Sequence, residues 1–209
     1  LAECGKDELL VTLGQSVMSR LRPDEVRITV IDPKAKLTGR IDGAHVDRYC
    51  YEADDIADTL ETLAAQLRAR LPQAGLSQQQ LQELARRGFD GPRQVLLLND
   101  AHMLGARGQF GEKPPATAPI AELVTRASEI GLHVFATRHT GNWDSVYAMD
   151  QFVVAMKNSR APILFMDNDP DNCTITGRIR APHLPPGRGI LLAEEKREGV
   201  LVGLYDNES

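Results

Sequence analysis

Apolar residues near the start of the chain recur at helical steps and then change period. Leu9, Leu10, Leu13, Val17 and Leu21 share one face at three- and four-residue spacing, which predicts a helix that begins after Lys6 and ends before Pro23. Val26 to Ile31 then reads as a β-branched strand stopped by Asp32-Pro33. From Asp54 to Leu71 the helical period returns, with Ile56, Leu60, Leu63, Ala64, Leu67 and Leu71 aligned and Pro72 as terminator. Ser77 to Arg87 predicts a second, more polar helix with Gly88 at its C-terminal cap.

Val95 to Leu98 is a short continuous apolar run, the signature of a strand buried on both faces. The Gly- and Pro-containing stretch from Met103 to Pro119 reads as a loop. Ile120, Leu123, Val124, Ala127 and Ile130 then mark one helix, closed by Gly131 and followed by a strand from Leu132 to Thr137. Ile163 to Met166 predicts one more strand, and Gly189–Ala193 with Val200–Tyr205 predicts a terminal hairpin turning through "EEKREG". Strands alternating with helices imply an α/β fold with a mostly parallel central sheet and right-handed crossovers. No internal repeat and no long linker divides the chain, so a single domain is expected.

Composition narrows the picture. At 209 residues and 42% hydrophobic the chain has the apolar surface for a substantial core. No stretch approaches the ~18 apolar residues of a bilayer span, and the first residues lack a basic region followed by an apolar one, so a soluble segment without an export signal is expected. Cys4, Cys50 and Cys173 have neither metal-ligand spacing nor the look of a disulfide framework, which points to a reducing compartment. A net charge of −5 argues against a nucleic-acid partner, because phosphate neutralisation leaves a visible Lys and Arg excess.

The candidate chemistry lies at two places. A phosphate loop of the form G-x-x-x-x-G-K-[ST] uses backbone N–H groups and a lysine to hold phosphates, and a hydroxyl to ligate magnesium. Gly5 and Lys6 fit its second half, directly before the first amphipathic helix. Leu1, Ala2, Glu3 and Cys4 fill the variable positions, which puts the first glycine one residue before Leu1. A strand is also expected ahead of such a loop, so the sequence reads as a piece of a longer polypeptide. Asp7 stands at the hydroxyl position. Its carboxylate is a candidate magnesium ligand, but it also sets a negative charge against an anionic triphosphate. Two such charges ~4 Å apart at an effective dielectric of ~20 repel by roughly 4 kcal/mol.

The second place is "VLLLND", where a P-loop enzyme carries an acid at the strand tip to hold the magnesium shell and a neighbouring acid to orient the attacking water. Asn99 occupies the first position and Asp100 the second. The neutral amide removes a charge that offsets Mg²⁺. A plain turn after a core strand is the alternative reading of the pair.

These pieces resemble the FtsK/SpoIIIE branch of P-loop ATPases, and within it the C-terminal ATPase modules of the EccC family of type VII (ESX) secretion. The likeness rests on "ECGKDELL", "RITVIDPK", "QVLLLNDAH", "GLHVFATR" and "LPPGRGILL", in that order over nearly the whole chain. The resemblance implies a RecA/FtsK-like P-loop fold and weak binding of ATP and Mg²⁺ through Glu3, Cys4, Gly5, Lys6, Asp7 and Glu8. Asp7 and Asp100 are then the candidate metal ligands, and Asn99 and Asp100 the residual catalytic positions. It also implies eroded motifs in one of several tandem modules, anchored at the cytoplasmic side of the inner membrane by other parts of a longer chain. The implied partners are the neighbouring modules, a hexameric motor, and secreted Esx-type helical hairpins whose signal helix docks by apolar anchors.

Arg138 stands where DNA translocases of the wider family carry a glutamine, and two readings of it stay open, a phosphate contact or a pair with an acidic neighbour. Trp143 to Met149 offers apolar residues for either a docking surface or the core. The five histidines have no metal-ligand spacing, "DNDPDN" lacks the glycine and distal glutamate of a calcium loop, and Ser128 and Ser159 lack a nucleophile elbow. Two functional alternatives to a degenerate module remain, a competent translocase in which Asp7 and Asp100 share magnesium, and a nucleotide-free recognition module.

Overall fold

In the computed structural model, two apolar strands form the centre of the molecule. The structure describes residues 4–105, 113–140, 143, 149–167, 180, 182–193 and 196–202. Strand β1 (Val26–Ile31) and strand β3 (Arg93–Leu98) are buried along nearly their whole length. They pair in parallel from Val26↔Arg93 to Ile31↔Leu98. Strand β2 (Val46–Cys50) flanks β1 and strand β4 (Leu132–Ala136) flanks β3, giving a parallel sheet in the order β2-β1-β3-β4. Because Ile31, Leu98 and Ala136 lie in register, the next residues, Asp32, Asn99 and Thr137, meet at the same carboxyl edge.

The two faces of the sheet are covered differently. Side chains alternate along a strand, so Val95 and Leu97 of β3 face helix α1 (Lys6–Arg20) while Leu96 and Leu98 face the other side. There, helix α2 (Ala53–Arg68) and helix α4 (Ala118–Val124) supply Ile56, Leu60, Leu67 and Ile120. α1 lies close because Gly14 meets β3 without a side chain; a Cβ there would stand 3.3 Å from Leu97 Cδ1. Helix α3 (Gln78–Arg87) is largely exposed and opens on a reciprocal capping box between Ser77 and Gln80.

The α/β class with a parallel sheet, flanking helices and terminal hairpin is as expected, but several elements differ. The helix expected to reach Leu71 ends at Arg68, where Arg70 and Leu71 N–H shift to i−3 carbonyls ahead of Pro72, which disfavours helical backbone before it. The helix expected from Ile120 to Ile130 is two, α4 and α5 (Ala127–Ile130), broken where Arg126 leaves helical geometry at φ −113 and ψ 15. Edge strand β2 was not anticipated, nor was helix α6 (Gln151–Asn158), capped by Asp150 accepting from the Phe152 and Val153 N–H groups.

The hairpin also starts earlier than its pattern predicts. Strand β6 (Arg188–Ala193) pairs antiparallel with strand β7 (Lys196–Leu201), so all of "KREG" is strand rather than turn. Strand β5 (Ile163–Phe165) joins this pair in a separate antiparallel sheet instead of extending the parallel one. Glu3, Cys173, residues 144–148 and 168–172, and the last residues of the expected hairpin lie outside the described residues. No helix among the described residues is long and apolar enough to cross a membrane.

Candidate functional site

The start of α1 is set by Gly5, whose φ of 92 is a left-handed conformation that favours glycine. A Cβ at Gly5 would stand 3.3 Å from the backbone nitrogen of Gly187 and 3.3 Å from Met166 Cε. The Gly187 N–H reaches the Cys4 carbonyl at 3.3 Å, so the "PPGRG" segment abuts the loop that precedes α1. This backbone aims the α1 N-terminus, with its unsatisfied N–H groups and positive dipole end, along the carboxyl edge of the sheet.

Lys6 and Asp100, 94 residues apart in the chain, meet there. Lys6 Nζ lies 2.7 Å from Asp100 Oδ1, 2.8 Å from Asp7 Oδ1, and donates to Asn99 Oδ1 at 3.4 Å. One ammonium reaches both consecutive residues because Asp100 adopts φ 49 and ψ 46, turning the chain where a regular strand would send neighbouring side chains apart. The Asp100 N–H is secured by donation to Thr137 Oγ1 at 3.0 Å, and the Ala101 N–H donates to the Thr137 carbonyl at 2.8 Å.

Two further cations complete the cluster. Lys34 Nζ lies 3.0 Å from Asp100 Oδ2, and Lys36 Nζ lies 3.2 Å from Asp7 Oδ2. Three ammonium groups around two carboxylates leave one net positive charge. Lys34 and Lys36 were not singled out in the sequence; the available signal was "DPKAK" directly after the first strand, the tip that lies beside Asn99 and Asp100. Burial opposes charge on Lys6, but hydrogen bonds to Asp100 and Asp7 outweigh it and raise its pKa above the ordinary lysine value. Burial likewise opposes ionisation of Asp7 and Asp100, and the Lys6 ammonium overrides it, holding both carboxyls below the usual range.

These shifts predict an acid-labile site. A carboxyl whose folded pKa is depressed contributes stability above its unfolded pKa and loses it as pH falls through the folded value. The contribution of Asp7 and Asp100 is thus expected to be complete above roughly pH 4 and to disappear below it. Urea midpoints measured between pH 6 and pH 2 would show a drop in the parent that is reduced in Asp7→Asn; identical acid limbs would contradict the pairing.

The remaining candidates sit around this cluster. Glu8 faces Arg40, with Oε1 and Nη1 3.6 Å apart. Cys4 is buried beside the loop, and the described residues contain no group of three or more His, Cys, Asp or Glu side chains suited to a metal. Arg138 donates to Asp150 Oδ2 at 3.1 Å and lies 5.9 Å over the Trp143 ring, so its partner here is an acidic neighbour. Trp143 is buried while Met149 is 80% exposed.

A mostly apolar cavity of about 410 Å³ opens next to Cys4 and Lys6, between α1, β4, α6 and β5. The residues fit ATP and Mg²⁺ in part. The α1 N-terminus and the net positive charge suit phosphate, and the buried Asp100 carboxylate, now paired with Lys6 and Lys34, is the acid that would accept from a hydrated cation. Gly5, Lys6 and Lys36 would hold the phosphates and Asp100 the metal shell, which would neutralise phosphate charge when bound.

A glycine-lysine helix start facing an acid at the tip of a central parallel strand defines a P-loop ATPase domain. No protein-family model matches the chain. ESX-5 secretion system protein EccC5 of Mycobacterium marinum is 32% identical over 98% of this chain, and the alignment covers 15% of that relative. A solved structure described as an ATPase is 30% identical with a TM-score of 0.84, covering 98% of this chain and 76% of its own. ATPases 2 and 3 of Thermomonospora curvata EccC, solved in complex with a signal sequence peptide, superpose with a TM-score of 0.83 at 24% identity, covering 98% of this chain and 36% of that one. The chain belongs to the EccC family of ESX secretion ATPases and spans about 15% of the length of the ESX-5 relatives it matches.

Proposed function

We propose that this chain is a degenerate ATP-binding module of a type VII secretion motor. It binds Mg·ATP weakly, turns it over inefficiently, and uses nucleotide to bias packing between modules rather than to drive a stroke. The observation that carries this reading is the occupation of Lys6 by the chain's own carboxylates, Asp7 at 2.8 Å and Asp100 at 2.7 Å. A phosphate must displace Asp7 before it can take the lysine, and the amide of Asn99 adds no charge for magnesium. Calorimetry with Mg·ATP alongside a phosphate-release assay tests this. Weak binding with turnover at the buffer rate is expected, and turnover abolished by Asp100→Asn would show a competent enzyme instead.

The module belongs, in this reading, to a longer chain anchored at the cytoplasmic side of the inner membrane, and works in a hexameric assembly with its neighbours. Recognition of secreted Esx-type helical hairpins is its second role, supported by the signal-peptide complex of the Thermomonospora curvata relative. A strand ahead of the phosphate loop is also part of it. The apolar cavity between β4 and β5 supports that strand, since Val134, Leu10, Phe152 and Ile163 line it and Cys4 stands beside it. Extending the chain at its N-terminus by the preceding natural segment is expected to raise the thermal midpoint by several degrees; an unchanged midpoint would count against a strand in the cavity.

A further inference from the structure

Asn99 forms a buried pair with Asp32, a residue to which the ATPase reading gives no part. Both are 0% exposed, and Asn99 Nδ2 donates to Asp32 Oδ1 at 3.2 Å. Asp32 Oδ2 accepts from the Leu37 N–H at 2.6 Å and from the Tyr49 hydroxyl at 2.7 Å. On its other side, Asn99 Oδ1 accepts from Thr137 Oγ1 at 2.6 Å and from Lys6. The amide orientation follows from this chemistry. Rotating it would set its oxygen against the Asp32 carboxylate and its NH₂ against an ammonium, so each side admits only one end of the amide.

We infer that Asp32 is a positioning residue that makes the tip of β3 require an amide. Its carboxylate needs a donor from position 99, and an aspartate there has none to give when ionised. The neutral residue at the tip of β3 is thus matched to the buried acid one strand away. That acid stands at the tip of β1, and Asn99 relays between it and Lys6. Placing an acid at position 99 takes two substitutions, because Asn99→Asp alone puts two carboxylates in contact without a donor between them.

The test compares urea midpoints of the parent, Asn99→Asp, Asp32→Asn and the double variant at pH 8. Asn99→Asp is expected to lose about 1 M of urea midpoint. The double variant restores a donor–acceptor pair and is expected to return to the parent midpoint. Lys6 donates to Asn99 Oδ1 and Tyr49 to Asp32 Oδ2, so each single variant also alters one of those contacts, and the coupling between the two positions is read from the double variant against both singles. Should Asn99→Asp fail to fold at pH 8, folding of the double variant at that pH is the supporting result. An Asn99→Asp variant that matches the parent overturns the inference, as does a double variant less stable than Asp32→Asn alone. These readouts need no nucleotide, so the role of Asp32 stands or falls separately from ATP binding.

Discussion

Replacing Lys6 with methionine is expected to lower the thermal midpoint by roughly 6–12 °C, although it removes a charge and keeps most of the side-chain volume. The reason is what remains behind. Asp100 is 1% exposed and held below the ordinary carboxylate range chiefly against burial by Lys6, while Asp7 loses its shortest contact. Removing one partner of a buried ion pair costs about 3–5 kcal/mol. Lys34, 3.0 Å from Asp100 Oδ2, keeps part of the compensation and places this variant near the low end. With a domain of this size, about 1 kcal/mol moves the midpoint by roughly 2–4 °C.

The variant also carries a pH signature. Without Lys6 the Asp100 carboxyl titrates at higher pH, so Lys6→Met is expected to gain stability relative to the parent as pH falls from 7 to 5. A Lys6→Met/Asp100→Asn variant, which removes the stranded charge, is expected to recover at least half of the lost midpoint. If Lys6→Met melts with the parent at every pH, the cluster contributes nothing to folding and its geometry matters only to a ligand.

What was legible beforehand follows from where each element sits. β1, β3 and α1 pack into the core, so burial wrote continuous or periodic apolar patterns into them. β2 lies at the sheet edge with Asp47 and Arg48 exposed, which breaks any strand pattern, and α6 offers only two turns. The helix broken at Arg126 kept its apolar period across the break, so periodicity alone joined what the backbone separates. Lys6 and Asp100 were readable because each belongs to a motif of fixed spacing. Asp32, Lys34 and Lys36 were not assigned roles, because their importance arises from register between strands whose tips are 67 residues apart along the chain. The sequence also presents Asp7 as an unpaired repulsive charge, whereas Lys6 and Lys36 already neutralise it.

That neutralisation changes the expected behaviour of Asp7→Thr, the substitution that returns a hydroxyl to the phosphate loop. A bare carboxylate ~4 Å from a phosphate charge would cost roughly 4 kcal/mol at an effective dielectric of ~20, near a thousandfold in affinity. Asp7 shares its charge with two lysines, and Lys36 is 38% exposed at its side chain, so solvent screens part of the effect. The expected gain in Mg·ATP affinity for Asp7→Thr is therefore about a hundredfold. It comes from releasing Lys6 and Lys36 to the phosphates rather than from relieving simple repulsion. Asp7→Ala separates the two contributions of the threonine. It releases the same lysines but offers no hydroxyl to the metal, so it is expected to gain nearly as much for ATP without Mg²⁺ and less with it. Turnover should stay at the buffer rate in both, because Asn99 still supplies no charge at the tip of β3. Calorimetry of the three proteins with and without Mg²⁺ decides the matter. A loss of affinity in Asp7→Thr would mean that the carboxylate bridges to magnesium, and an unchanged affinity would mean that phosphates do not sit at the start of α1.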